Sequence, residues 1–145
     1  MSKNGATDPA SEAWALMRRL VWGRRPQFVT RLGELGLYPP QAIALLELGE
    51  GEPMPMSALA ERLRCDNSNI TGIADRLESA GLVERRPAPR DRRVRTLAVT
   101  ERGRVVQGKV AEIMADPPAG LAALSEEDAA ALRDILERAL AATPA

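Results

Sequence analysis

Residues 57–103, SALAERLRCDNSNITGIADRLESAGLVERRPAPRDRRVRTLAVTERG, constrain the fold more than any other part of the chain. Two helical patterns joined by a short turn come first. Leu59, Ala60 and Leu63 make one apolar face, and Ile70, Ile73, Ala74 and Leu77 make the next. The second set falls at i, i+3, i+4 and i+7, the spacing that lays one stripe of an α-helix on a core. Gly81 supplies a left-handed stop. The runs 82–86 and 94–99 then read as two strands, and the loop between them, 87–93, is too long for a two-residue hairpin. That loop is crowded with arginine. A helix pair followed directly by a basic two-stranded turn is the sequence shape of a DNA reader with a wing.

The remaining segments are helical. Residues 1–10 are small and polar and are expected to form a disordered tail. From Ser11 onward Ala13, Met17, Leu20 and Val21 share a face, and Phe28, Leu32 and Leu35 resume the pattern as far as Gly36. Pro26 lies between the two sets and is expected to kink or end the helix, because its ring removes a donor and clashes with the preceding turn. Tyr38-Pro39-Pro40 opens a helix filled by Ile43, Leu45, Leu46 and Leu48. Residues 54–57 lead into the first helix of the pair, Thr100 is placed to cap a helix carrying Val106, Val110, Ile113 and Met114, and Pro117-Pro118 breaks it. Ser125 with Asp128 resembles a capping box at the start of a last helix with Leu132, Ile135, Leu136 and Leu140.

The expected fold is mainly α with a small β-wing. One domain is expected over residues 11–145, with a winged helix-turn-helix lobe at 37–100. The helices over 11–36 and 101–142 form a second, dimerising lobe, because their combined apolar stripes exceed what one small lobe can cover.

Composition removes several functions. The chain has no histidine and a single cysteine, so histidine-based catalysis and an internal disulfide are excluded. No convergent acidic or nucleophilic cluster stands out. An enzyme is not expected, nor a metal or other cofactor. No apolar run approaches the roughly 18 residues of a membrane span, and no apolar stretch follows Lys3 as a secretory leader requires, so a cytoplasmic protein is expected. Cys65 sits beside Arg64, but its position suits a small buried apolar side chain better than a redox sensor.

Formal charge is zero, yet it is unevenly placed. Residues 84–95 hold six arginines against Glu84 and Asp91, whereas residues 111–145 hold seven acids against Arg133 and Arg138. A local positive patch on a neutral protein suits site-directed binding of DNA. On the second helix of the pair the candidate DNA-contacting residues are Asn67, Ser68, Asn69, Thr71, Gly72 and Arg76. Asn69 offers a two-point contact to adenine, Ser68 and Thr71 suit base or phosphate, and Gly72 lets the backbone approach the duplex. A merely solvated face is the competing reading, and it suits Asp75 and Ser79. In the wing the candidates are Arg86, Arg90, Asp91, Arg92, Arg93 and Arg95. Arginine heads there can follow phosphates, and one can enter a narrow minor groove. Asp91 would repel phosphate and therefore reads as a brace for a neighbouring guanidinium.

The runs Leu59-Ala60-Glu61-Arg62-Leu63, Asp66-Asn67-Ser68-Asn69-Ile70-Thr71, Asp75-Arg76-Leu77-Glu78-Ser79-Ala80-Gly81-Leu82-Val83-Glu84-Arg85, Asp91-Arg92-Arg93 and Leu97-Ala98-Val99-Thr100-Glu101-Arg102-Gly103 resemble the MarR family of winged helix-turn-helix transcriptional regulators. The resemblance implies a homodimer on double-stranded, pseudo-palindromic operator DNA, with Arg92 or Arg93 as the minor-groove residue. It implies that Asp66 either caps the reading helix or pairs with a wing arginine. It also implies a repressor, either constitutive or relieved by a small-molecule ligand, for which a small aromatic compound is the candidate. In sensing members of the family the pocket adjoins the first helices, so Trp14, Trp22, Phe28 and Tyr38, the only aromatics, are candidates to line it. Aromatic packing across a dimer interface is the competing reading of those four. A winged-helix protein-interaction module without DNA binding is the alternative function, and the six arginines weigh against it. Tyr38 and Pro55 depart from the family pattern, each standing where a capping hydroxyl is common.

Overall fold

The structure is a computed structural model that describes residues 8–49 and 51–143. Most of the tail expected over 1–10 lies outside the described residues. The first helix, α1, already spans Pro9–Glu34, with Asp8 ahead of it accepting the Ser11 N–H at 3.2 Å. Pro26 does not end this helix. A proline there costs one hydrogen bond, the one to the carbonyl of Trp22 four residues earlier. Both residues are exposed, so water can serve that carbonyl, and the Pro26 carbonyl gains a bond from the Thr30 hydroxyl at 2.9 Å.

The chain divides into two compact units, Pro26–Ala115 and the pair of segments Met1–Arg25 with Asp116–Ala145. The larger unit holds the buried core. Leu32, Leu45, Leu59, Ile70, Leu77, Leu97 and Val110 are all but sealed from solvent. They come from the end of α1, from α2 (Pro39–Glu47), α3 (Met56–Arg62), α4 (Asn67–Ser79) and α5 (Glu101–Ala115), and from a small sheet. The helix-turn-helix positions Leu59, Ala60, Ile70, Ala74 and Leu77 are buried as their spacing requires, and Ile73 is half-buried against them.

The sheet has three strands in the order β1-β3-β2, all antiparallel. The wing strands are β2 (Val83–Pro87) and β3 (Arg95–Val99), paired from Val83↔Val99 to Pro87↔Arg95. The third strand, β1 (Met54–Pro55), is two residues long and pairs Met54↔Leu97 and Pro55↔Thr96. A strand this short leaves no alternation to read, so the sequence offered only a lead-in to α3. Pro55, at the α3 N-cap, makes no side-chain cap bond and serves instead as the end of this strand. At α2 Tyr38 makes no side-chain cap bond, and the helix start is held from the other side: the buried Gln41 side chain accepts the Tyr38 N–H at 3.0 Å.

Three further contacts set the frame. Thr100 caps α5 as anticipated, its hydroxyl accepting the Gly103 N–H at 3.0 Å while donating to the Gly81 carbonyl at 2.7 Å. Gly103 is buried so closely that an added Cβ would lie 2.0 Å from the Leu82 carbonyl oxygen. Gln107, also buried, donates to the carbonyls of Leu45 and Gly49 at 2.7 and 3.0 Å, satisfying the end of α2 from α5.

The smaller unit is formed by the first part of α1 with α6 (Ala119–Ala122) and α7 (Glu126–Ala141). Four residues after two prolines gave no periodicity from which to read α6. Ser125 caps α7, accepting the Asp128 N–H at 3.1 Å. No residue of α6 or α7 is buried, and Trp14, Trp22, Ile135 and Leu140 are all more than half exposed.

Candidate nucleic-acid interface

The second helix of the pair, α4, owes its start to Asp66. The carboxylate accepts the Asn69 N–H at 2.8 Å and the Ser68 hydroxyl at 2.7 Å. Of the two roles open to Asp66, it takes the cap. The Ser68 bond, followed by the Asn69 bond, holds its carboxyl below the ordinary aspartate value. Thr71 donates its hydroxyl to the Asn67 carbonyl at 2.8 Å. Ser68 and Thr71 therefore spend their protons within the protein and keep lone pairs to offer. Asn67, Ser68, Asn69, Thr71, Gly72 and Arg76 are all exposed, whereas Ile70, Ala74 and Leu77 are buried. An added Cβ at Gly72 would meet nothing within 4 Å, so the helix surface is open there.

In the wing, Arg86, Arg90, Asp91, Arg92, Arg93 and Arg95 are likewise exposed. The loop is closed at its base by the Ala88 N–H on the Val94 carbonyl at 2.9 Å. The Asp91 carboxylate accepts the Arg93 N–H at 3.0 Å and lies 3.6 Å from that residue's Nε, while the Arg93 side chain is 95 % exposed. Arg86 pairs with Glu84. Arg90, Arg92 and Arg95 take part in no salt bridge among the described residues.

Arg85, which counted toward the wing's charge, behaves differently. Its side chain is only 22 % exposed and reaches two carboxylates of α4: Asp75 at 2.6 Å, and Glu78. The Arg85 N–H also donates to Glu78, at 3.1 Å. The Asp75 bond, with Glu78 adding to it against partial burial, raises the guanidinium pKa above its ordinary value. Sequence reasoning missed this fork, but a signal for it existed. Side chains alternate along a strand, so Arg85 shares the face of buried Val83, while Glu84 and Arg86 share the other.

A groove of about 480 Å³ runs along α4, lined by Tyr38, Ile43, Leu63, Cys65, Asn69, Ile73 and Arg76 among others. Of the four aromatics, Tyr38 alone lines it. Phe28 packs against the buried core of the larger unit, and Trp14 and Trp22 lie on α1 within the smaller one. Arg18 and Arg25 sit over the Trp14 and Trp22 rings, at 5.9 and 6.0 Å from their centroids. Cys65 is half-buried, packed against the core.

A family model described as MarR family matches residues 37–94, from the cap of α2 to the end of the wing loop. The organic hydroperoxide resistance transcriptional regulator of Bacillus subtilis (strain 168) is 31 % identical over 109 residues, 75 % of this chain and 71 % of that one. The chain belongs to the MarR family. As a MarR-family protein it is a DNA-binding transcriptional regulator of winged helix-turn-helix architecture. The HTH-type transcriptional regulator TtmR of Methylorubrum extorquens (strain PA1) is 30 % identical over 142 residues, 94 % of this chain and 71 % of that one. Among solved structures, the YusO protein of Bacillus subtilis is similar over 97 % of this chain and all of that one, with 27 % identity and a TM-score of 0.74. The MarR-type match and the geometry meet in the same residues, since 37–94 contains α4 and every arginine of the wing tip. No helix among the described residues is long and apolar enough to cross a membrane.

Proposed function

We propose that the chain is a homodimeric repressor that reads a two-part operator with α4 and clamps it with the wing. The observation that carries this reading is a division of surface. Helix α4 turns Asn67, Ser68, Asn69, Thr71, Gly72 and Arg76 to solvent, and the adjoining wing leaves Arg90, Arg92 and Arg95 in no salt bridge among the described residues. Asn69, in the first turn of α4, pairs with an adenine edge in the major groove. Ser68 and Thr71 accept from base amino groups or from water. Arg90, Arg92, Arg93 and Arg95 follow the backbone, with Arg92 or Arg93 entering the minor groove and Asp91 holding the tip in shape.

The dimer rests on the helices over 11–36 and 101–142, and the reading lobe on 37–100. Support comes from the apolar side chains of the smaller unit that stay in solvent, Trp14, Leu16, Val21, Trp22, Ile135 and Leu140. Exposed apolar surface on this scale marks an interaction site. Two copies place two α4 helices on half-sites about one helical turn apart. Relief comes from a small aromatic ligand that binds the DNA-incompetent form better. Tyr38 supports a place for it, because its groove is also lined by Ser68, Asn69 and Arg76 of the reading helix.

Footprinting on DNA upstream of the chain's own gene, with and without phenolic compounds, tests the whole reading. Protection of two half-sites that disappears with an effector is expected. Affinity should fall steeply with salt, about 0.9 log units per log unit of salt for each phosphate neutralised. A flat salt dependence would overturn the interface.

A further inference from the structure

The fork from Arg85 to Asp75 and Glu78 joins two things that DNA recognition must keep apart at a fixed distance. Ser68, Thr71, Asp75 and Glu78 follow one another at spacings of three and four, so they form a single stripe along α4. Its amino-terminal end carries candidate base readers, and its carboxyl-terminal end is held by Arg85. By the 1.5 Å rise of an α-helix, Ser68 and Asp75 are about 10 Å apart, close to the width of a major groove. Arg85 belongs to β2, whose pairing partner β3 begins at Arg95, directly after the wing tip. The fork therefore ties the reading stripe to the strand pair that carries the phosphate-following arginines.

We infer that Arg85 is a positioning residue that sets the spacing between the reading helix and the wing, and so sets discrimination between operator and other DNA. It touches no DNA itself, because both ends of its guanidinium are engaged by carboxylates of its own chain. A planar guanidinium bound by two carboxylates has one preferred orientation, which a flexible point charge would lack. Non-specific binding depends on phosphate contacts alone and tolerates a shifted wing, whereas base contacts do not. The inference rests on the reading of α4 proposed above.

The test compares a duplex selected by the wild-type protein from a randomised library with a mixed-sequence duplex of equal length, by fluorescence anisotropy on the full chain. Two variants change charge in opposite directions: Arg85→Ala removes one positive charge, and Asp75→Asn with Glu78→Gln removes two negative ones. Affinity for the mixed-sequence duplex should fall slightly in the first and rise in the second. The ratio of selected to mixed-sequence affinity should fall about tenfold in both, as expected for one misplaced base contact. The amide variant conserves side-chain shape and guards against a loss due to misfolding in Arg85→Ala, with circular dichroism confirming that each is folded. A ratio within about twofold of wild type in the folded amide variant would overturn the inference. If the wild-type protein itself shows no preference between the duplexes, the reading of α4 fails, and this inference with it.

Discussion

Replacing Gly103 by alanine should destabilise the protein sharply, although alanine is the better helix former. The added Cβ would stand 2.0 Å from the Leu82 carbonyl oxygen and 2.8 Å from a methyl of Val99. Ordinary carbon–oxygen contacts begin near about 3.3 Å, so more than 1 Å must be found. The obstacle is backbone, and no rotamer change can supply that distance. The Leu82 carbonyl also accepts the Thr100 N–H at 3.0 Å, and the Thr100 hydroxyl holds the Gly81 carbonyl. Moving α5 away thus strains the cap and the entry to β2 together. Overpacking costs about 1–3 kcal/mol, and a disrupted buried hydrogen bond about 1 kcal/mol more. Helix propensity returns about 1 kcal/mol. The net loss is about 1–3 kcal/mol, or roughly 2–12 °C in melting temperature for a chain of this size. Gly108 of the same helix is the control. A Cβ there meets nothing within 4 Å, so Gly108→Ala should raise stability by up to about 1 kcal/mol. Chemical and thermal unfolding followed by circular dichroism, at one fixed protomer concentration, reads both. Equal effects of the two substitutions would refute the packing argument.

Other perturbations separate the remaining contacts. Arg92→Ala and Arg93→Ala should each weaken operator binding by about 1–3 kcal/mol and lower the salt slope by about 1, with unfolding unchanged; an unaltered slope removes that residue from the interface. Gln107→Leu should cost about 1–3 kcal/mol by stranding the Leu45 and Gly49 carbonyls at the end of α2, and a neutral result in denaturant unfolding would mean that water replaces the amide. Asp66 has a lowered pKa in the folded protein, so its cap contribution is present above the unfolded aspartate value and is lost as pH falls through the folded one. Asp66→Asn should accordingly flatten the acid limb of the stability profile, and an unchanged acid limb would show that the bonds to Ser68 and Asn69 do not matter there.

Much of this fold was written in local patterns. The stripe from Ile70 to Leu77, the stop at Gly81, the caps at Thr100 and Ser125 and the two wing strands each follow from spacing or from one residue's chemistry, and the structure holds them. What escaped the sequence depends on distant partners. Pro26 carries the marks of a break, yet it lies on an exposed helix face where the freed Trp22 carbonyl is open to solvent. The strand at Met54 exists only because Leu97 and Thr96 lie beside it. Arg85 looked like one more wing arginine until the strand register turned it toward α4. The candidate site was legible as a set of exposed residue types, but which arginines are spent on neighbouring acids was not, because that choice is made by tertiary contact.

The short bond between Ala88 and Val94 has a consequence for how such proteins diverge. It seals the strand pair, so the five residues beyond it hang outside the packed frame and owe it little. Arginines there can be added, removed or shifted by one position without touching a core side chain. The tip is thus an exchangeable part: if it grips DNA as proposed, that grip can be retuned at small cost in folding while α4 stays packed on the core.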